Sequence, residues 1–373
     1  MTTRILPLAI FILLGTSLPA APSKAEGTGN SIGDYYAYWK AKYLIPSSGC
    51  AGDFKVDYNG KGVTVSEAMG YGMLITAAMG RTDPGSKACF DGLNHFRKRF
   101  PSKLNHAFMC WKVPSNERAA TDDCATDGEM DMAFALLLAH RQWHDPSYLK
   151  EAKALISNIG TTLVRDDFSL RLGDWNVKEG QTRPSDIMPT HFRAFGSATG
   201  DPLWKQVEER CYVILEELQC GAAPDTGLVP DFALKKGEHW VPAGPRFLEG
   251  RDDGDYYYNA CRVPWRIGWT AISLDDERAK RIVARLMDWA EVSVKHPVDF
   301  RAGYRLDGRP VWNSDFQTAC FISPTGVAAM ATGRKEWRDE TLSFAAGSRE
   351  QYYEDSVNLL CLLVMSGKLS EPF

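Results

Sequence analysis

Two short stretches decide how this chain is interpreted: SEAMGYGM, from Ser66 to Met73, and ATDGEMD, from Ala125 to Asp131. Each places carboxylates at the expected start of a helix, beside glycines. Gly70 and Gly72 each cost a helix about 1 kcal/mol relative to alanine, a cost more understandable where a ligand or a neighbouring backbone approaches closely. Carboxylates held on rigid helix ends are what acid–base cleavage of a glycosidic bond needs.

Helical periodicity recurs along the chain, and strand alternation does not. The clearest helix runs from Thr126 to Trp143, and we expect Thr126 to cap it with Glu129 completing a capping box. About a dozen helices joined by loops rich in glycine, proline and aromatic residues predict an all-α fold of helical hairpins wound into a ring. The other expected helices are Ile32–Tyr43, Ser66–Met79, Ala88–Phe100, Pro146–Ile159, Pro189–Thr199, Pro202–Leu218, Asp255–Thr270, Asp275–Val292, Thr318–Ala331, Trp337–Ala346 and Gln351–Leu363.

Residues 1–25 have the composition of a secretory signal peptide. Arg4 is followed by an apolar run, Ile5–Leu18, and by a small-residue cleavage site before Glu26. The apolar run is short for a membrane span, and no later stretch is long enough. We therefore expect an exported protein, secreted or periplasmic. Because no linker or low-complexity tract follows, we expect residues 26–373 to form one catalytic domain.

Charge and cysteine content limit the partners. The net charge of −4 becomes −6 once residues 1–25 are removed, because Arg4 and Lys24 are lost with no acidic residue. With no basic stripe, this charge argues against nucleic acid as a partner. Nine cysteines permit disulfides after export, and the odd number leaves at least one thiol unpaired or intermolecular. No cysteine or histidine spacing indicates a zinc site, so we expect no metal and no cofactor. We also expect the protein to be a monomer.

The two opening stretches resemble the signature segments of glycoside hydrolase family 8, which carry similar Ser-Glu-Gly-x-x-Tyr-Gly and Thr-Asp-Gly-Asp-x-Asp runs. The resemblance covers most of the chain and implies an (α/α)6 barrel whose long loops form a cleft. It implies that Glu67 is the general acid and that Asp127 holds the sugar at the cleavage point in a distorted conformation. From the residues alone, Thr64–Glu67 also fits a capping box, and Asp127 equally suits the helix dipole.

A third stretch, Phe247–Arg266, resembles the family's Tyr-Asp-Ala-x-Arg motif but differs at its aspartate. Asn259 stands where many members have the general base, and an amide cannot accept a proton from water at neutral pH. One branch of the family has asparagine here and takes its base from a glutamate in the preceding loop. The resemblance therefore implies Glu249 as base, with Asn259 orienting the water or the sugar. The rival bases are Asp252, Asp253 and Asp255.

Aromatic side chains are expected to line a glycan cleft, although most tryptophans of a large helical barrel belong to the core. Trp111, Trp175, Trp240 and Trp312 lie in loop-like segments, and a family loop favours Trp175. Asp131 and Arg266 are expected to be structural. The expected substrate contacts are Tyr71, Trp111, Trp175, Arg262, Tyr352 and Tyr353.

These features predict an exported, inverting endo-hydrolase of β-1,4-linked polysaccharide, with its two carboxyl groups about 6.5–9.5 Å apart. The acidic loop Glu249–Asp255 would attract the ammonium groups of glucosamine units, which tips the expected substrate towards chitosan. An endo-β-1,4-glucanase and a mixed-linkage β-glucanase are alternatives of the same class. A glycan-binding protein without catalysis and a polysaccharide lyase are alternatives of other classes.

Overall fold

Helices account for most of the structure, a computed structural model that describes residues 31–118, 120–370 and 372. The expected signal peptide lies outside the described residues. No described helix has the length and apolar character that a membrane crossing requires. The helices are α1 (Ile32–Tyr43), α2 (Ser66–Ala78), α3 (Ser86–Arg99), α4 (Thr126–Trp143), α5 (Pro146–Thr162), α6 (Pro189–Thr199), α7 (Leu203–Ala222), α8 (Val263–Leu274), α9 (Glu277–Ser293), α10 (Ala319–Ala331), α11 (Lys335–Gly347) and α12 (Tyr352–Met365).

The even-numbered helices form a closed inner ring. Each packs against the next even-numbered helix, and α12 returns to pack against α2. The odd-numbered helices lie outside, where each packs on an inner neighbour. The sequence explains this division, because α2 and α10 are apolar and buried on almost every side, whereas α9 buries one face at helical spacing. This arrangement is an (α/α)6 barrel, which confirms the expected fold.

Short antiparallel strands and long loops gather at one end of the barrel. The long connections precede α4, α6, α8 and α10, so they meet where the inner helices begin. Strand pairing fixes them there, since β3 runs directly into α2. The strands are β1 (Leu44–Pro46) paired with β2 (Phe54–Val56), β3 (Thr64–Val65) with β4 (Lys112–Val113), and β6 (Ala233–Lys236) with both β5 (Gln181–Thr182) and β7 (His239–Pro242).

Close backbone contact between α2 and α4 explains the glycines of the first two motifs. A Cβ atom on Gly70 would lie 2.8 Å from Cβ of Asp131, and one on Gly128 would lie 2.6 Å from the carbonyl carbon of Ser66. The first turns of the two helices therefore meet with no room for side chains. This contact holds both motif carboxylates, Glu67 and Asp127, at the same end of the barrel.

Two expectations about helix starts were wrong. The helix expected at Asp255–Thr270 begins at Val263 instead. A distant carboxylate, Asp231, accepts hydrogen bonds from backbone N–H groups of the preceding turn, and Pro264 favours a helix start at that point. Neither α2 nor α4 has the expected capping box, because both begin without a side-chain cap.

All nine cysteines lie among the described residues, where each is a free thiol. Seven are buried and two, Cys50 and Cys220, are exposed. Within residues 31–118, 120–370 and 372, no cluster of three or more histidine, cysteine or acidic side chains is arranged to hold a metal ion.

Candidate active site

Glu67 lies in the first turn of α2, and its side chain is 21% exposed. Its Oε2 accepts a hydrogen bond from Nη1 of Arg262 at 3.0 Å, and its Oε1 accepts one from the Tyr352 hydroxyl at 3.2 Å. Burial raises the pKa of Glu67 to about 7; Arg262 opposes the rise and the charge of Asp127 adds to it. A carboxyl group that stays protonated near neutrality and still reaches solvent has the properties of a general acid.

Asp127 is buried in the first turn of α4, between two guanidinium groups. Its Oδ2 accepts a hydrogen bond from Nη1 of Arg262 at 2.9 Å, and its Oδ1 lies 3.0 Å from Nη2 of Arg183. Burial alone would raise the pKa of Asp127, but the charges of Arg183 and Arg262 outweigh it and hold the pKa well below its ordinary value. One nitrogen of Arg262 thus contacts both an ionised Asp127 and the carboxyl group of Glu67.

Arg262 also connects Glu67 to the other side of the site. Its Nη2 donates hydrogen bonds to Oδ1 of Asn259 at 2.8 Å and to the Ser185 hydroxyl at 2.9 Å. Nδ2 of Asn259 in turn donates to Oε2 of Glu249 at 2.9 Å. The structure therefore joins the expected acid, the expected base and the asparagine in one hydrogen-bonded series.

Glu249 is exposed, on a loop of residues 244–255 held by a buried carboxylate. Asp253 accepts hydrogen bonds from the backbone N–H groups of Leu248, Glu249 and Gly250 at 2.7, 3.0 and 2.8 Å. The loop thus presents Glu249 from a fixed backbone. An exposed carboxylate in that position is accessible to water, as a general base must be.

The rival carboxylates of this loop are less available than Glu249 to act as a base. Asp253 is only 3% exposed and is used by the backbone. Asp252 forms an ion pair with Arg251 at 3.1 Å. Asp255 is half-buried, and burial raises its pKa. Two of the three rival carboxylates, Asp252 and Asp253, are thus paired within the loop, which weakens the electrostatic argument for a cationic substrate.

The three tyrosines expected to contact substrate differ in how far they are buried. Tyr71 is fully buried, and its hydroxyl accepts a hydrogen bond from Nη1 of Arg262 at 3.3 Å. The structure therefore places Tyr71 behind Arg262 and not on the cleft surface. Tyr352 is 4% exposed and reaches the site through its hydroxyl on Glu67. Tyr353 is half-buried, and its hydroxyl donates to the carbonyl oxygen of Tyr258.

The four loop tryptophans also differ. Trp111 is half-buried beside the start of α2, where its carbonyl oxygen accepts the N–H of Ser66 at 2.9 Å. Trp175 is half-buried and packs with the apolar residues that support the loop of Glu249. Trp240 is buried, whereas Trp312 is 77% exposed. The residues packed with Trp175 are Leu172, Phe232, Ala243, Leu234 and Phe247.

Sequence reasoning missed four polar residues around the site: Arg183, Ser185, Asp186 and Asp231. Nε of Arg183 donates to Oδ1 of Asp186 at 2.8 Å, and burial raises the pKa of Asp186 to about 6. Oδ1 of Asp231 accepts the N–H groups of the segment that carries Asn259. None of the four lies in a quoted motif, and the only local signal is a charged pair flanking a proline, which is too common to identify them.

Glu129 and Asp131, the other acidic residues of the second motif, are buried. Glu129 was expected to complete a cap; its Oε1 instead accepts the N–H of Met109 at 2.8 Å, and burial raises its pKa to about 8. Asp131 accepts two hydrogen bonds from Arg266, at 2.8 and 2.6 Å, and lies 2.9 Å from Nε2 of His191. These contacts fit the structural role expected of Asp131 and Arg266.

Comparison with known proteins finds relatives along most of the chain. The family model described as glycosyl hydrolases family 8 matches residues 17–367. A β-glucanase of Niallia circulans is 39% identical over 340 residues, which cover 88% of this chain and 82% of the relative. An endoglucanase of Bacillus sp. (strain KSM-330) is 36% identical over 93% of this chain and 78% of its own. The solved apo structure of a β-1,3-1,4-glucanase from Paenibacillus sp. X4 has a TM-score of 0.87 and 39% identity, covering 91% of this chain and 92% of that chain.

Proposed function

The chain belongs to glycosyl hydrolase family 8 and is an endo-acting glycoside hydrolase of β-glycans, and from that premise we propose that it is an inverting endo-β-glucanase. Its proposed substrates are β-1,4-linked glucans, including mixed β-1,3-1,4-linked chains. The hydrogen-bonded series from Glu67 through Arg262 and Asn259 to Glu249 carries the proposal. The relatives named as glucanases support glucan over chitosan.

In the proposed reaction Glu67 and Glu249 have opposite proton roles. Glu67 gives its proton to the glycosidic oxygen as the bond to the anomeric carbon breaks. A water molecule attacks the same carbon from the other face, and Glu249 takes the proton that the water loses. The anomeric configuration inverts, and exchange with solvent then resets both carboxyl groups.

The environments of the two carboxyl groups support this assignment. The acid has to be protonated before the reaction, and burial raises the pKa of Glu67 to about 7. The base has to meet water, and Glu249 is exposed. Asp127 stays ionised between Arg183 and Arg262, so it supplies a fixed negative charge near the sugar at the cleavage point. Such a charge suits the oxocarbenium character of the transition state.

The first experiment measures reducing-sugar release by the purified protein on barley β-glucan, carboxymethyl cellulose and soluble chitosan, side by side. We expect fast cleavage of the glucans and little of chitosan. Cleavage of the β-linkage should release a reducing end that is first the α-anomer, which proton NMR detects before mutarotation. Cleavage of chitosan alone would refute the glucan proposal, and no turnover on any of the three would favour a glycan-binding protein.

Two variants and one control test the residue roles. Glu67→Gln and Glu249→Gln should each lower kcat by about 10²–10⁴-fold, because each removes a proton-transfer group. Asp252→Asn changes a carboxylate in the same loop that is already paired with Arg251, so its activity should stay close to that of the wild type. Unchanged activity of Glu249→Gln would remove the base assignment and leave the acid assignment standing.

Export and domain organisation are part of the same proposal. Residues 1–25 are proposed to be removed on export, and residues 26–373 to form one monomeric catalytic domain. N-terminal sequencing of the exported protein and size-exclusion chromatography test these points. A mature chain that begins elsewhere, or a dimer at low concentration, would contradict them.

A further inference from the structure

Trp312 is the most exposed large apolar side chain among the described residues, at 77%. Its neighbour Val311 is buried at 4%, so the chain is anchored directly before the indole leaves the surface. A single exposed apolar side chain is common on protein surfaces, so exposure alone does not make Trp312 a binding site, and its position and surroundings must indicate one. The question is which ligand would cover it.

The turn that presents Trp312 is rigidly built. The next residue, Asn313, adopts a left-handed backbone conformation with φ of 64°. The Ser314 hydroxyl donates hydrogen bonds to the carbonyl oxygens of Val311 at 2.8 Å and Gly303 at 3.2 Å. The backbone on both sides of the indole is thus fixed before any ligand arrives, which lowers the entropy lost on binding.

The Trp312 ring contacts the loop that carries the proposed base. The guanidinium carbon of Arg251 lies 5.4 Å from the centroid of the ring, a cation–π contact. Arg251 is two residues from Glu249 and is itself held by its ion pair with Asp252. The indole therefore lies beside the cleft and not on a remote face of the barrel.

A second path connects Trp312 to the site. At Gly303, with φ of 134°, a Cβ atom would lie 2.6 Å from the ring of Tyr257 and 2.8 Å from Val311. Tyr257 packs against Tyr258 with ring centroids 4.8 Å apart, and Tyr258 faces Tyr353 at 6.2 Å. A row of partly exposed aromatic rings thus runs from the turn of Trp312 towards the proposed acid.

We propose that Trp312 is a sugar-binding platform, on which a glucosyl ring of the β-glucan chain stacks beyond the cleavage point. The inference rests on the proposed function, since it assigns the occupant as a ring of the same substrate. The flat apolar face of a β-linked glucosyl ring matches an exposed indole, and Trp312 remains 77% exposed although Arg251 contacts its ring. The platform extends the substrate site outward from Glu249, so it acts only on chains long enough to reach it.

The test measures binding in the Glu67→Gln background, where cleavage does not consume the ligand. Isothermal titration with cello-oligosaccharides of increasing length compares Glu67→Gln alone with Glu67→Gln/Trp312→Ala. The tryptophan change should weaken binding of the longest oligosaccharide about tenfold, equivalent to about 1.4 kcal/mol, and leave the shortest unchanged. Trp312→Phe should retain part of the affinity, and Val292→Ala, which alters a side chain 75% exposed at the end of α9, should have no effect.

Each outcome separates the two proposals. Equal affinity for every oligosaccharide with and without Trp312 would overturn the platform and leave the glucanase proposal intact. Failure of Glu67→Gln with an intact Trp312 to bind any cello-oligosaccharide or any mixed-linkage β-glucan oligosaccharide would overturn the substrate assignment and the platform with it. An equal loss of affinity at all lengths would place Trp312 at the cleavage point and also overturn the platform. Because the side chain is exposed, the melting temperature should not change, which excludes misfolding as the cause.

Discussion

Replacing Asp127 by asparagine should move the pH dependence of activity, because the charge of Asp127 contributes to the raised pKa of Glu67. Both carboxylates bind the same nitrogen of Arg262, at 2.9 and 3.0 Å. Their nearest oxygens therefore lie at most about 6 Å apart, and two charges at that distance repel by about 2.8 kcal/mol at an effective dielectric constant of about 20. That energy equals about two pKa units.

The direction of the shift follows from the charges. A general acid must be protonated, so activity is lost as the pH rises through its pKa, which is about 7 for Glu67. Asp127→Asn removes a negative charge and leaves Arg262 free to favour the ionised form of Glu67. The falling limb of the profile should therefore move to lower pH, by about one to two units.

The assay is kcat/KM on soluble β-glucan from about pH 4 to about pH 9, with the position of the limb as the readout. The height of the profile should also fall, because Asp127 is proposed to act on the sugar. Ser185→Ala is the control, since it removes a hydrogen bond to Arg262 without changing charge and should leave the limb in place. A limb that stays fixed or moves to higher pH in Asp127→Asn would refute the electrostatic argument.

Two further predictions concern stability. Gly70→Ala should lower the free energy of unfolding by about 1–3 kcal/mol, because the new Cβ would lie 2.8 Å from Cβ of Asp131. The control Gly221→Ala places a Cβ with nothing within 4 Å and should stabilise α7 by up to about 1 kcal/mol. Urea unfolding measures both changes in free energy, and equal effects would contradict the close contact at Gly70. Glu129→Gln should gain stability relative to the wild type as the pH rises from about 5 to about 8, by up to about 1.4 kcal/mol per pH unit. The sign follows from a folded pKa raised from 4.5 to about 8 by burial, because the stability that the protonated buried acid gives the wild type is lost progressively as the pH rises between these two values. If the melting temperatures of the wild type and Glu129→Gln differ by the same amount at every pH between about 5 and about 8, this prediction is contradicted.

Most of the helices could be predicted from sequence because their boundaries depend on local patterns. The bounds of α1, α4 and α6 are those expected, since helical apolar spacing runs through α4, Ser31 caps α1 and Pro189 begins α6. The start of α8 could not be predicted, because the turn before it is fixed by Asp231, a residue about thirty positions away whose effect no local pattern contains. The helix pattern indicated hairpins wound into a ring, but the (α/α)6 barrel was implied by the family resemblance, and periodicity alone would not have established it.

The candidate site also contains residues that local sequence could reveal and residues that it could not. Glu67 and Asp127 lie in glycine-containing motifs that sequence could single out, but their roles were implied by the family resemblance, since the residues alone also fitted a cap and a helix-dipole contact. Arg183 and Asp186 could not be singled out, because they act through ion pairs that only the folded chain creates. Tyr71 shows the reverse error, since a motif aromatic next to a carboxylate was expected on the surface and is buried beneath Arg262.

The asparagine at position 259 fits a site whose base lies on the loop. Asn259 accepts a hydrogen bond from Arg262 through Oδ1 and donates one to Glu249 through Nδ2. An aspartate could accept from Arg262, but when ionised it could not donate to Glu249, and two carboxylates at that distance would raise the pKa of one of them. A base with a raised pKa would be protonated more of the time and would accept protons from water less often. The amide therefore leaves Glu249 as the one carboxylate of this pair, which agrees with its proposed role as base.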